Sequence, residues 1–186
     1  MASVSRCCIL LSVVLLLSGC GNMMNDLNPS GADKRTPIAA GTTGPAVGQF
    51  APDFTLSDTL GNSVTLSSVV TTTGVRGAVL YFTMWCPVCD THMSAMRSTF
   101  IPQNPDVRFF AVDYVSGSVA AAHSAELENG YDGSGFTVLA DTAHTVLFRY
   151  QATMGSTVVI DSSGVIRMNE DFKDAVRLQA ALASLP

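Results

Sequence analysis

Ala78-Val79-Leu80-Tyr81-Phe82-Thr83-Met84-Trp85-Cys86-Pro87-Val88-Cys89 is the stretch that decides the fold. Residues 78–83 form an unbroken apolar β run, which reads as a buried central strand. A helix is expected from Pro87 to Phe100, with Pro102 limiting it. The two cysteines therefore sit where a strand hands over to a helix. Unpaired backbone N–H groups and the helix dipole concentrate positive potential there, which favours a thiolate at Cys86. Pro87 suits a first helical turn, where its missing N–H costs little. A spacing of three puts Cys89 one turn on, within disulfide reach of Cys86.

The flanking chain alternates strands and helices. Phe54–Leu56 and Ser63–Leu66 surround the turn-rich segment 58–62 and predict an N-terminal hairpin. Residues 107–112 and 137–140 read as strands, and the Ala-rich segment 118–128 reads as a helix. Asp141 or Thr142 is expected to cap a helix running through Tyr150. Residues 156–160 and 165–167 flank the turn 161–164 as a second hairpin, and an amphipathic helix from Asp171 to Leu185 closes the chain. This order implies an α/β sandwich with a central mixed β-sheet flanked by helices.

The chain has 186 residues with Lys+Arg 10 against Asp+Glu 15, a net charge of −5. Such an acidic balance argues against nucleic acid as a partner. At 47% hydrophobic the chain is too apolar for a disordered protein. The apolar stretch 7–17 follows a single positive charge, Arg6, and has the length of a signal-peptide core rather than a membrane span. It ends in Leu17-Ser18-Gly19-Cys20, which resembles the bacterial lipobox. The resemblance implies a signal peptide at 1–19 and lipidation at Cys20, with several acyl chains giving stable anchoring. Loss of 1–19 makes the net charge −6 and leaves Cys86 and Cys89 as the thiols. Residues 20–46, rich in Gly, Pro, Asn, Thr and Ala, read as a flexible tether, and 47–186 as the domain. Gly21 stands where an Asp would favour inner-membrane retention. The expected address is thus the cell envelope, at the periplasmic face of the outer membrane where the source has two membranes. An exported compartment permits a Cys86–Cys89 disulfide.

The strand–W-C-P-x-C–helix unit resembles the thioredoxin superfamily, specifically the membrane-anchored TlpA/ResA-type thiol–disulfide oxidoreductases. Val47-Gly48-Gln49-Phe50-Ala51-Pro52-Asp53-Phe54-Thr55-Leu56 resembles the opening of the redoxin and alkyl-hydroperoxide-reductase (AhpC-TSA) branch. Segment 156–166 resembles the late hairpin shared by both. The resemblance implies a thioredoxin-like three-layer sandwich with an N-terminal β-hairpin extension. It implies Cys86 as nucleophile and Cys89 as resolving thiol. Trp85, Pro87, Val88, Met154 and Gly155 are expected to line the site. Clients would be protein thiols and disulfides, and the redox partner a membrane thiol donor or an oxidase. Neither an organic cofactor nor a metal is implied.

Two departures stand out. The cis-proline that faces the dithiol in these relatives is replaced by Gly155, after Met154, where a trans bond is expected. Leu80 lies six before Cys86, where thioredoxin carries a buried Asp, so either exchange is slower or another group such as Glu126 or Glu128 takes the Cys89 proton. Three rival readings remain. As a peroxiredoxin-like peroxide reductase, Cys89 would be peroxidatic, with Phe82, Cys86 and Gly155 at the positions of the activating Pro, Thr and Arg. As a copper-binding protein of the same fold, Cys86, Cys89 and His92 would supply ligands. The bland reading makes His92 an exposed helix residue. The third rival is a binding module with a structural disulfide.

Overall fold

The computed structural model describes residues 38–39 and 41–186. The signal peptide, Cys20 and most of the expected tether lie outside the described residues. Seven strands form one mixed sheet: β1 (Thr55–Asp58), β2 (Ser63–Thr65), β3 (Gly77–Thr83), β4 (Val107–Asp113), β5 (Phe136–Ala140), β6 (Ser156–Asp161) and β7 (Ile166–Asp171). Their spatial order is β2-β1-β5-β4-β3-β6-β7. β3, β4 and β5 run parallel, and β6, β7, β1 and β2 add antiparallel neighbours. The chain is thus the expected α/β sandwich with a hairpin extension at its N-terminal side.

Side chains of β3 alternate between two cores. Val79 and Tyr81 join Cys89, Met93 and Met96 of α2 (Pro87–Ala95) and the turn after it, with Leu178 and Leu182 of α6 (Ala175–Ala183), on one face. Ala78, Leu80 and Phe82 face the other way, toward Leu66 and Val70 of α1 (Leu66–Val70) and Val146 of α5 (Thr145–Arg149). All seven β3 residues are buried, because a central strand covered on both faces has no solvent side. At its start β3 passes so close to β6 that a Cβ on Gly77 would drive into the Ile160 carbonyl oxygen. Gly77→Ala should therefore destabilise the fold by about 2 kcal/mol, the scale of core overpacking. A lower urea midpoint at unchanged slope would report it.

Several helix ends differ from expectation. After α2 the backbone makes a π-helical turn, Met96–Phe100, and then α3 (Ile101–Gln103). Pro102 falls in the first turn of α3, where its missing N–H is tolerated, so it does not end the helical run. The helix expected to run through Tyr150 from a cap at Asp141 or Thr142 starts only at Thr145, behind His144 in the left-handed region (φ +56°). Asp141 still acts as its anchor from a distance, accepting the Val146 and Leu147 N–H groups at 3.0 and 2.8 Å. The last helix begins at Ala175 rather than Asp171, because β7 stays paired with β6 up to Asp171, and Asp174 caps it. α4 (Val119–Glu128) has Ser118 as its cap, at the start of the segment that the sequence marks as helical. The end of the expected tether belongs to the domain. Thr42 and Gly44 exchange backbone hydrogen bonds with Phe50, and the Pro45 carbonyl accepts from Asn169 at 2.7 Å.

Candidate functional site

β3 ends at Thr83 and the chain turns through Met84 and Trp85 into α2. Cys86 is the N-cap of α2, with extended backbone (φ −89°, ψ 163°), and its sulfur accepts the Cys89 N–H at 3.2 Å. This is the helix-terminus contact that the spacing predicts. Both cysteines are free thiols, Cys86 half-buried and Cys89 wholly buried. Their sulfurs lie 2.8 Å apart. Burial pushes the Cys89 thiol up. Hydrogen bonds from Cys86, from the Met84 and Cys86 backbone and from Thr83 outweigh it, so the net value falls below the ordinary thiol range. The sequence puts the favoured charge on Cys86, whereas these donors converge on Cys89. Of the two sulfurs, Cys86 is the more exposed.

Trp85 is held in the left-handed region (φ +57°), a costly position for a bulky residue. Two contacts keep it there. Its backbone N–H donates to the Thr83 hydroxyl at 3.1 Å, and its indole N–H donates to the Asp113 carboxylate at 2.8 Å. Asp113 is fully buried at the end of β4, and its second oxygen accepts the Val115 and Ser116 N–H groups, each at 2.9 Å. Opposite, the Tyr131 ring lies 6.1 Å from the Trp85 ring, and its hydroxyl donates to Asp90 at 2.7 Å. Burial is the main reason the Tyr131 phenol is pushed up to about 12. Thr83, Trp85, Cys86, Cys89, Asp90, Met93, Asn129 and Tyr131 line a narrow crevice beside the two sulfurs.

Pro87, Val88, Met154 and Gly155, expected to line the site, are not among the residues that line this crevice. Pro87 and Val88 are exposed on the first turn of α2. Met154 packs, like Trp85 and Cys86, against the core that contains Cys89. Among the described residues no peptide bond is cis, so Met154–Gly155 is trans. Gly155 adopts φ +85°, which proline cannot reach. Its N–H donates to Phe82 at 3.0 Å and its carbonyl accepts from Phe172 at 2.9 Å, so its backbone is already paired within the domain.

Neither suggested glutamate reaches the dithiol. Glu126 accepts the Thr59 hydroxyl at 2.6 Å, on the hairpin side of the sheet, and Glu128 is exposed. His92 is not the exposed residue expected. It is partly buried, packed on Phe172 (centroids 4.5 Å), and its Nδ1 lies 2.9 Å from the Tyr81 hydroxyl. Strand alternation carries the signal for Tyr81: Leu80 points away from Cys89, and Tyr81 toward it. Asp113 and Tyr131 carry no such local signal, being distant in sequence.

The profile of the AhpC/TSA family matches residues 47–169. The chain belongs to the AhpC/TSA family. The redoxin branch expected from the opening segment is therefore its family, and its fold is thioredoxin-like. A secreted disulfide oxidoreductase of Mycobacterium tuberculosis, homologous to DsbE of Escherichia coli, is 25% identical. It aligns over 71% of this chain and 96% of its own, with a TM-score of 0.54. DsbF of Mycobacterium tuberculosis aligns over 72% and 95% at 23% identity, with a TM-score of 0.59. The peroxidoxin BcpB from the same organism aligns over 74% and 94% at 21% identity, with a TM-score of 0.55. No curated protein matches the sequence.

Proposed function

We propose that this AhpC/TSA-family protein is a membrane-anchored extracytoplasmic thiol–disulfide oxidoreductase that exchanges disulfides with protein thiols through Cys86 and Cys89. The observation that carries the reading is the thiol pair, 2.8 Å apart at a helix N-terminus, with Cys89 wholly buried and Cys86 only half-buried. Cys86 attacks a client disulfide and forms a mixed disulfide. Cys89 then attacks Cys86, closes the intramolecular disulfide and releases the reduced client. The reverse sequence oxidises a client dithiol. Met84, Val88 and Val115 are exposed apolar side chains on the loops and helix turn beside Trp85, and they suit a protein client. A difference of about 30 mV in potential is worth about 1.4 kcal/mol, so the direction follows from whether a membrane thiol donor or an oxidase meets the pair.

A disulfide oxidoreductase among the structural neighbours supports this reading, and a peroxidoxin among them raises peroxide as the rival substrate. The site argues against peroxide. Cys89, the sulfur that would be peroxidatic, is 0% exposed, and Gly155 offers no side chain where an Arg would be needed. Copper is disfavoured as well, since among the described residues no three His, Cys, Asp or Glu side chains are grouped to hold a metal ion. Anchoring rests on Leu17-Ser18-Gly19-Cys20. With the full chain expressed in a bacterial envelope, protein-disulfide reduction should far exceed peroxide consumption. Cys20→Ala should move the protein from the membrane to the soluble fraction. Peroxide turnover as the dominant activity would overturn the first claim, and an unchanged membrane fraction the second.

A further inference from the structure

We propose that Tyr81 and His92 form the proton path out of Cys89: Tyr81, packed in the same core as the reacting sulfur, relays the proton, and His92 accepts it behind. The inference rests on the thiol–disulfide reading of the pair. Tyr81 is fully buried on the β3 face that packs on α2, in the same core cluster as Cys89. Its hydroxyl is 2.9 Å from His92 Nδ1. His92 is three residues after Cys89 on α2, one turn along the same side of the helix. Its ring stands edge-on to Tyr81 (centroids 6.0 Å, 90°) and rests on Phe172. Gly155 lies against the ring, since a Cβ there would come within 3.8 Å of it. The imidazole is therefore held with Nδ1 toward the phenol.

An acceptor is needed at one step in particular. In the dithiol, Cys86 assists the ionisation of Cys89 by hydrogen bonding. In the mixed disulfide, Cys86 has no proton to give, and burial opposes a Cys89 thiolate with less to offset it. The Cys89 S–H proton then passes to the Tyr81 oxygen as the Tyr81 proton passes to His92 Nδ1. The Cys89 thiolate attacks Cys86 Sγ, the Cys86–Cys89 bond forms, and the Cys86–client bond breaks. Two electrons leave the protein dithiol and the client disulfide is reduced, its departing thiolate taking up a proton.

The surroundings fit these roles. Burial, with the charge of Cys89 and Cys86 beside it, pushes the Tyr81 phenol well above its ordinary value, so it relays a proton without resting as phenolate. Burial lowers His92 from its ordinary value, leaving a neutral ring whose Nδ1 can accept. Other titratable groups nearby do not compete for that nitrogen. Asp90 of α2 is bonded to Tyr131, and Asp171 of β7 to the Thr153 and Ser156 hydroxyls. The Tyr114 and Tyr131 phenols are raised chiefly by burial and stay protonated.

The test is stopped-flow reaction of the reduced full-length protein with dithiobisnitrobenzoate. Attack by Cys86 releases one coloured thiol, and resolution by Cys89 releases a second. Tyr81→Phe and His92→Gln should each slow the second release relative to the first by on the order of 100-fold, the scale of lost general-base assistance. In the native protein the second release should fall on the acid side as His92 becomes protonated, and His92→Gln should flatten that profile. A native ratio and profile in both variants would overturn the relay. Absence of any second release from the native protein would instead defeat the exchange reading itself. Should His92→Gln disturb α2, seen as loss of both releases, Tyr81→Phe removes a single oxygen and decides between relay and no relay on its own.

Discussion

Cys86→Ser should abolish disulfide exchange, with a loss on the order of 10⁴-fold or more, the scale on which removal of a covalent nucleophile acts. A serine hydroxyl at the N-cap still satisfies the Cys89 N–H, so the fold and α2 should survive. The chemistry does not, because the remaining sulfur, Cys89, is fully buried and has no route to a client. Cys89→Ser should fail differently. Cys86 still attacks, but the mixed disulfide has no internal thiol to resolve it, and clients should remain covalently attached on non-reducing gels. Equal trapping by both variants would contradict the division of roles, as would residual exchange in Cys86→Ser.

The second large effect is expected away from the sulfurs. Asp113→Ala removes the acceptor of three donors: the Trp85 indole N–H and the Val115 and Ser116 backbone N–H groups. Each donor left unpaired in a buried setting costs about 1–3 kcal/mol, and partial relaxation of the loop reduces the sum, so a net loss of about 3 kcal/mol is expected. The functional consequence follows from the backbone. Trp85 sits at φ +57° only while its indole and N–H are both tied down, and it directly precedes the nucleophile. Freed from Asp113, it should relax and carry Cys86 out of register with the end of α2. Trp85 is the single tryptophan of the chain, so its emission reports the change directly. A red-shifted emission, a lower urea midpoint and slower alkylation of Cys86 should appear together. Asp113→Asn, which keeps a side-chain oxygen to accept the backbone N–H groups, should lose less stability than Asp113→Ala.

How much of this is legible in the sequence depends on the distance over which each feature is determined. The strand–turn–helix unit at 78–95 is readable because a continuous apolar β run, a proline and the cysteine spacing all act within one or two turns. The two hairpins are readable from turn residues between short β runs. Element ends are less so. Asp141 has the chemistry of a cap, but it reaches its helix from three positions before His144, a geometry set by the left-handed backbone there. Asp171 has the chemistry of a helix start, but strand pairing to Ser156 claims it. The site's polar partners are the hardest to read. Counting back from Cys86 points to Leu80, whereas the alternation of β3 turns Tyr81 toward Cys89. His92 has no visible partner in sequence, since its contacts come from Tyr81, Phe172 and Gly155 on three separate segments.

Redox exchange at Cys86 and Cys89 can be read in a single experiment, a titration of the full-length protein in glutathione buffers followed by Trp85 emission. One two-electron transition is expected, absent in the Cys86→Ser and Cys89→Ser proteins, with a midpoint above about −300 mV, where catalytic rather than structural disulfides lie. A pair that shows no transition, or one that stays oxidised to potentials below that value, would rule out exchange at this site.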